Sequence, residues 1–307
     1  MATGRFAPSP TGALHLGNLR TALIAWMWAR HDGDRFLVRM EDLDRVTSSR
    51  EHETAQLRDL AAIGLDWDGD VVRQSERFDR YEAAIATLDA TGRVYRCYCT
   101  RREIAEAAAA PHADTGGRYP GTCRDLTSAQ RAEREGDGRP PALRLRADDI
   151  EVSFVDELAG AVTGRPDDVV LRRNDGVPAY NLAVVVDDHD QGVGLVVRGD
   201  DLLHATPGQL HLGALLGMPS PRHAHVPLVV DEHGERLAKR HGAVTLADRV
   251  ALGDEVADVV AYLLASCGSP ETSSAAAAAT AFDPRRIPRE PVVADGHLLT
   301  RSLRSDR

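Results

Sequence analysis

Along the first seventy residues, short apolar runs alternate with longer stretches whose apolar positions recur at helical spacing. TGRF (3–6) reads as a strand entering a loop, and GNLRTALIAWMWARHDG (17–33) as an amphipathic helix stopped by Gly33. RFLVRMED (35–42) predicts a second strand and SREHETAQLRDLAAIGL (49–65) a second helix. Strand, loop, helix, strand in that order calls for crossover helices over a parallel sheet, an α/β arrangement. From about Cys97 the texture changes: residues 101–150 are rich in Arg, Ala, Gly and Pro, and strand signals stay weak until EVSFVDEL (151–158). The expected organisation is therefore a first half of the sheet domain over 1–94, an inserted subdomain over 95–168, and a second half over 169–245. In that second half, DDVVLRR (167–173), LAVVVDDH (182–189) and VGLVVRGDD (193–201) predict strands. A helix is expected over 206–218, and a strand followed by a loop in HVPLVVDEHGERLAKRHG. A short helical segment over 246–268 precedes a low-complexity tail, 269–307, opened by SSAAAAAT and expected to be poorly ordered.

With 43% hydrophobic residues in 307, the chain can bury a sizeable core, as one large or two modest domains. A net charge of -10 excludes a globally basic nucleic-acid binder, so any basic face is local. The arginines of 101–146 offer one such face, and a solvated surface explains them equally well. No apolar run approaches the roughly 20 residues needed to span a bilayer, and MATGRFAPSP lacks the pattern of a signal peptide. Cys97, Cys99, Cys123 and Cys267 are too few in too long a chain for a disulfide scaffold, which places the expectation in the cytosol, with neither membrane nor DNA as partner.

The first chemical motif is Ser9-Pro-Thr11-Gly12-Ala-Leu-His15-Leu-Gly17-Asn18, between a strand and a helix. A helix start offers unpaired N–H groups and a positive dipole end, both suited to an anion. Gly12 permits a tight turn, Gly17 lets a flat ring or phosphate approach the backbone, and His15 can donate to phosphate oxygens. An H-x-G alone fits an ordinary turn with a surface histidine; the dense P-S-P-T-G lead-in argues against that. R-F-A-P-S-P-T-G-x-L-H-L-G-N resembles the N-terminal signature of class I glutamyl-tRNA synthetases and their relatives. The resemblance implies a Rossmann-type parallel sheet and an ATP site at Thr11, Gly12, His15, Gly17 and Asn18. Downstream, RLAKR (236–240) occupies the place of that family's second, KMSKS-type motif. There the resemblance implies that Lys239 steadies the leaving pyrophosphate and that Arg236 also faces ATP, making His15 and Lys239 the catalytic pair. Arg236 and Ala238 depart from the family's Lys and Ser, keeping a charge and losing a hydroxyl.

An acidic amino acid needs a cation for its side-chain carboxylate, which arginine grips with a planar fork, and an anion for its ammonium. Arg5 and Glu41 end the first two strands, and Tyr180 and Arg198 lie near the expected later ones. Ligands in such sheets bind at the carboxyl ends of strands where the order reverses. By resemblance, Arg5, Ala7, Ser9, Glu41, Tyr180 and Arg198 line a glutamate site; Val184 stands where discriminating glutamyl-tRNA synthetases carry Asn.

Cys97-Tyr-Cys99 followed by Tyr119-x3-Cys123 has the makings of a structural zinc site with three thiolates. His112 is a generic fourth ligand; three buried free thiols are the plain alternative. By resemblance to the zinc site of one short-form group of glutamyl-synthetase relatives, the fourth ligand is the Tyr119 phenol. Together with the short stretch after Lys239, which predicts no family-type anticodon-binding region, the likeness to that group spans residues 1 to about 265. It implies Mg2+-ATP-dependent, tRNA-independent activation of L-glutamate, then transfer to queuosine at the wobble position of tRNA(Asp). Competing expectations are a truncated conventional glutamyl-tRNA synthetase, a small-molecule nucleotidyltransferase, and a catalytically inactive tRNA-binding module.

Overall fold

The computed structural model describes residues 2–108, 118–237, 244–272 and 274–294. Strand β1 (Thr3–Phe6) leads through a loop to helix α1 (Leu16–His31), then β2 (Arg35–Met40), α2 (Arg50–Ala62), β3 (Val72–Arg73) and α3 (Phe78–Ala90). Next come β4 (Val94–Cys97), α4 (Arg101–Ala108), α5 (Ser128–Gly136) and β5 (Ala142–Leu145). The hairpin β6 (Val152–Asp156) and β7 (Gly160–Gly164) precedes β8 (Val170–Arg172), α6 (Tyr180–Asp190), β9 (Val193–Gly199) and α7 (Thr206–Leu215). The described chain closes with β10 (Arg222–Val226), β11 (Val229–Val230), α8 (Leu246–Ala251), α9 (Val256–Ser266), α10 (Ala275–Thr280) and β12 (Val292–Val293).

The main sheet runs β3-β2-β1-β9-β10-β6-β7, parallel except for the antiparallel last strand. From β1 the chain adds β2 and β3 on one side, then returns to place β9 and β10 on the other. The strand order therefore reverses between β1 and β9, which opens a crevice at their carboxyl ends. At the other end of that strand, a side chain on Gly4 would put its Cβ 2.9 Å from that of Ala29, so glycine lets α1 lie close on the sheet.

The expected amphipathic helix is in fact buried nearly all round, from Leu16 through Trp28. One side covers β1, β2 and β9, and the other is covered by α9 and α10. The reason lies in the segment expected to be a poorly ordered tail. SSAAAAAT supplies α10, whose Ala275, Ala278 and Ala279 are small enough to seat the helix against α1, and Phe282 packs on Trp28 with ring centroids 5.5 Å apart. Alanine has the best helix propensity of any residue, so low complexity here encodes order. Strand β12 then pairs with β11; residues 295–307 lie outside the described residues.

Two further expectations are corrected. LAVVVDDH forms α6 rather than a strand. Its β-branched run favours a strand locally, but Leu182, Ala183 and Val186 share one helical face, in the same core as Tyr81, Ile85 and Leu212. Asp187 then accepts hydrogen bonds from Tyr81 Oη (2.8 Å), Gln74 Nε2 (2.9 Å) and Arg77 Nε (2.6 Å), partners distant in sequence that a propensity reading does not see. DDVVLRR supplies β8, which joins β4 and β5 in a separate three-stranded antiparallel sheet, while the β6–β7 hairpin, expected in the insertion, extends the main sheet. No helix among the described residues is long and apolar enough to cross a membrane.

Ala278 is fully buried against α1. Ala278→Leu overpacks that contact and is expected to lower stability by about 1–3 kcal/mol in urea unfolding. A neutral result would mean that α10 does not dock there.

Candidate functional site

A cleft of about 540 Å³ opens at the carboxyl ends of β1, β2 and β9. Arg5, Ala7 and Ser9 line it from the end of β1 and the loop beyond, followed by Thr11, Gly12, His15, Gly17 and Asn18 at the start of α1. Glu41 enters from the end of β2, Tyr180 from the first turn of α6, Arg198 from β9, and Arg236 from the segment after β11. Every sequence-predicted residue of the nucleotide and amino-acid subsites within the described residues thus meets in one cavity.

The loop from β1 to α1 is held from outside. Gln56 of α2 donates through Nε2 to the carbonyls of Gly12 (2.7 Å) and Ser9 (3.0 Å), and Glu41 N bonds Pro8 O at 2.9 Å. Gln56 escaped the sequence reading because nothing in α2 marks one polar residue as buried. His15 is the N-cap of α1: its Nδ1 accepts from Asn18 N at 3.2 Å, and Asn18 Oδ1 accepts from His15 N at 3.2 Å. That reciprocal cap fixes the tautomer: with Nδ1 accepting, the ring proton sits on Nε2, free to donate. Burial, helped by the charge of Arg236, lowers the imidazole pKa to about 4. Gly17 serves this residue directly, since a Cβ there would lie 3.0 Å from the His15 ring. The flat ring that approaches this backbone is therefore His15 itself.

Arg236 pairs with Asp201, which follows β9. Leu237 is buried and bonds Val229 O through its N–H at 3.2 Å. Residues 238–243, with Ala238 and Lys239, lie outside the described residues. On their far side Val244 O accepts from Leu16 N at 2.8 Å and Thr245 bridges His15, so both flanks of the segment meet beside the start of α1.

The end of the cleft lined by Arg5, Glu41 and Tyr180 rests on a buried ionic cluster. Arg5 donates to Asp188 Oδ1 (3.3 Å) and to Val197 O (3.0 Å). Arg39, fully buried, donates to the same Asp188 oxygen at 2.7 Å and reaches Glu41 at 3.4 Å. Against the upward push of burial, Arg5 and Arg39 hold the Asp188 carboxyl down at about 2. Glu41 is less well compensated, and burial raises its pKa. Burial also raises the Tyr180 phenol, with Glu41 contributing, and lowers Arg198. Arg198 donates through Nη2 to Thr206 Oγ1 at 2.8 Å, while its buried Nη1 has no hydrogen-bond partner among the described residues. Arg39 and Asp188 were missed by sequence reasoning; the one signal was a charged residue amid the apolar run of β2. Val184 is buried one turn beyond Tyr180.

The cysteine cluster forms a second, separate constellation. The sulfurs of Cys97, Cys99 and Cys123 lie within 4.8 Å of one another. The Tyr119 hydroxyl stands 3.3 Å from Cys97 Sγ and 3.5 Å from Cys99 Sγ, and Cys99 and Cys123 sulfurs are 3.5 Å apart. Thiolates bound at about 2.3 Å to a tetrahedral ion are separated by about 3.8 Å, so these donors fit a four-coordinate metal with little movement. Arg144 stacks over the Tyr119 ring at 3.9 Å and fixes its plane. His112, the generic alternative ligand, lies outside the described residues. Cys267 belongs to the main core, and burial pushes its thiol up to about 11.

The family model for tRNA synthetases class I (E and Q), catalytic domain, matches residues 1–275. The chain is 60% identical over 297 residues to a "Glutamyl-Q tRNA(Asp) synthetase" of Nocardia farcinica, covering 96% of this chain and 94% of that protein. To a "Glutamate--tRNA ligase" of a Synechococcus species it is 42% identical, covering 93% of this chain and 62% of that one. The crystal structure of a glutamate tRNA ligase from Elizabethkingia meningosepticum, in complex with its amino acid, superposes with a TM-score of 0.78 at 24% identity, covering 97% of this chain and 68% of that one, a likeness of fold.

With a folded-state pKa of about 4 against 6.5 unfolded, His15 makes the unfolded chain bind more protons between those two pH values. Folding stability should therefore fall as pH drops through that window, with no contribution from His15 above it. Relative to His15→Gln, the wild type should lose on the order of 2 kcal/mol between pH 7 and pH 4 in urea unfolding, after discount for partial exposure. A pH-independent difference would mean that the ring titrates normally.

Proposed function

Because the chain belongs to the family of class I tRNA synthetases (E and Q), through its catalytic domain, we propose that it condenses L-glutamate with Mg2+-bound ATP to glutamyl-adenylate without tRNA, and then transfers the glutamate to queuosine at the wobble position of tRNA(Asp). The carrying observation is one cleft that joins a helix N-terminus, capped by a neutral Nε2–H imidazole, to a buried arginine with an unpartnered N–H. Phosphates suit the first and a carboxylate the second.

In the activation step an α-carboxylate oxygen of glutamate attacks the α-phosphorus in line. The bond to the bridging oxygen breaks, and pyrophosphate leaves with its magnesium. No protein nucleophile takes part; positioning and charge stabilisation supply the catalysis. His15 Nε2–H and the N–H groups at the start of α1 face the phosphates, with Arg236 and Lys239 on the leaving group. Arg198 takes the side-chain carboxylate with its spare donor, and Arg5 adds charge from the end of β1. Glu41, its pKa raised by burial, gains a counter-ion when the substrate ammonium arrives. In the second step an acceptor hydroxyl attacks the adenylate carbonyl, giving an ester and AMP. The queuosine acceptor is supported by the name of the Nocardia farcinica relative.

We assign a structural zinc ion to Cys97, Cys99, Cys123 and Tyr119. Zinc would tie the end of β4 to the 119–123 loop.

Two measurements test this reading. Glutamate-dependent ATP–pyrophosphate exchange should proceed without tRNA, and His15→Ala and Lys239→Ala should each slow it roughly 100- to 1,000-fold. Exchange only with tRNA present would instead indicate 3′-end charging, and no exchange in either case a binding module. Elemental analysis should find about one zinc per chain, lost in Cys123→Ala; a zinc-free wild type that folds normally would refute the metal assignment.

A further inference from the structure

Behind Arg198 lies a buried chain of polar groups that the adenylation reading leaves unexplained. Arg198 Nε donates to His225 Nε2 at 3.0 Å. On the other side of the ring, His225 Nδ1 meets Asp156 Oδ2 at 2.6 Å, with both side chains fully buried. The second Asp156 oxygen, Oδ1, accepts from the backbone N–H groups of Leu158 (2.9 Å), Ala159 (2.9 Å) and His225 (3.2 Å). Three elements distant in sequence are thereby joined: β6, β10 and β9.

The chemistry of the donors leaves one proton arrangement. A guanidinium only donates, so His225 Nε2 must accept, and the ring proton must sit on Nδ1, donated to Asp156. Arg198 then has Nε committed to His225 and Nη2 to Thr206, and Nη1 is the donor left over. Buried polar groups are seldom left unpaired without a reason. We propose that Asp156 and His225 are positioning residues for substrate binding: the Asp156 carboxylate sets the His225 tautomer, and that tautomer holds the Arg198 fork with Nη1 presented to a carboxylate of the amino acid. The substrate part of this inference rests on the adenylation reading above.

Asp156→Asn discriminates sharply, because the backbone decides how the amide sits. Oδ1 is surrounded by three N–H donors, so the carbonyl oxygen must stay there, and the amide nitrogen replaces Oδ2. That nitrogen donates to His225 Nδ1, which must now accept, so the ring proton moves to Nε2, where Thr206 Oγ1 at 3.1 Å can take it and Nε2 no longer accepts from Arg198 Nε–H. The loop caps survive while the tautomer inverts. Nitrogen-15 NMR of the imidazole should show His225 protonated at Nδ1 in the wild type and at Nε2 in Asp156→Asn. In pyrophosphate exchange the KM for glutamate should rise roughly ten- to a hundredfold, as expected for a broken buried hydrogen bond to a charged group, with the KM for ATP within about twofold. His225→Gln restores an acceptor that has no tautomer, so its glutamate KM should recover relative to His225→Ala. Adding Asp156→Asn to His225→Gln should then cost far less than it does alone.

A wild-type His225 protonated at Nε2 overturns the relay, whatever the activity. An inverted tautomer with an unchanged glutamate KM, or with the KM for ATP raised equally, overturns the positioning role. If Asp156→Asn does not fold, the His225→Ala and His225→Gln pair decides: equal glutamate KM values refute the role. A wild type without glutamate-dependent exchange overturns the adenylation reading and the substrate assignment with it, and the NMR result still settles the relay separately.

Discussion

The structure of the cleft depends on one shared anion. The Asp188 carboxylate is held jointly by Arg5 at 3.3 Å and Arg39 at 2.7 Å, which binds the carboxyl ends of β1 and β2 and the last turn of α6 at the point where the strand order reverses. All three charges are out of water. Such a cluster adds little net stability relative to a hydrophobic one, yet removing one member strands the others, at a cost of about 3–5 kcal/mol. It therefore acts as a constraint: β1, β2 and α6 cannot shift independently, and neither can Glu41 and Tyr180, which those elements carry.

The constraint also divides labour between the two arginines of the proposed amino-acid subsite. Arg5 uses its donors on Asp188 and the Val197 carbonyl, and so works chiefly as part of the frame. Arg198, held from behind by His225 and Thr206, keeps a donor in reserve. Across the cleft the same logic applies to His15, whose Nδ1 is consumed by its own helix cap while the ring proton is left on Nε2. In each case an internal hydrogen bond orients the group and leaves one donor over.

Two outlying regions support this centre. Helix α10 and Phe282 cover the outer side of α1, the helix whose first turn lines one end of the cleft. The small sheet β4-β5-β8 carries the thiol and phenol cluster at one end and, through β8, runs directly into the turn that starts α6 at Tyr180. Order in either region thus reaches the site through a single short connection.

Much of this was legible in the sequence. The P-S-P-T-G-x-L-H-L-G-N run determined a loop leading into a capped helix, because glycine, proline and an N-terminal cap act locally. The spacing of Cys97, Cys99 and Cys123 marked a three-thiol cluster for a similar reason, since ligand chemistry is written in residue type; Tyr119 as its fourth donor came from the family resemblance. The strands β1, β2 and β9 followed from apolar runs. Tertiary structure alone decided the rest. LAVVVDDH became a helix because its core face and its two aspartates have partners in α3, β1 and β2, against the preference of its valines. SSAAAAAT became an ordered helix because α1 offers a surface that only small side chains can approach. Gln56, Asp156 and His225 had no local signal, since what pairs a buried polar residue is the distant group that shares its hydrogen bond, and that pairing exists only once the chain has folded.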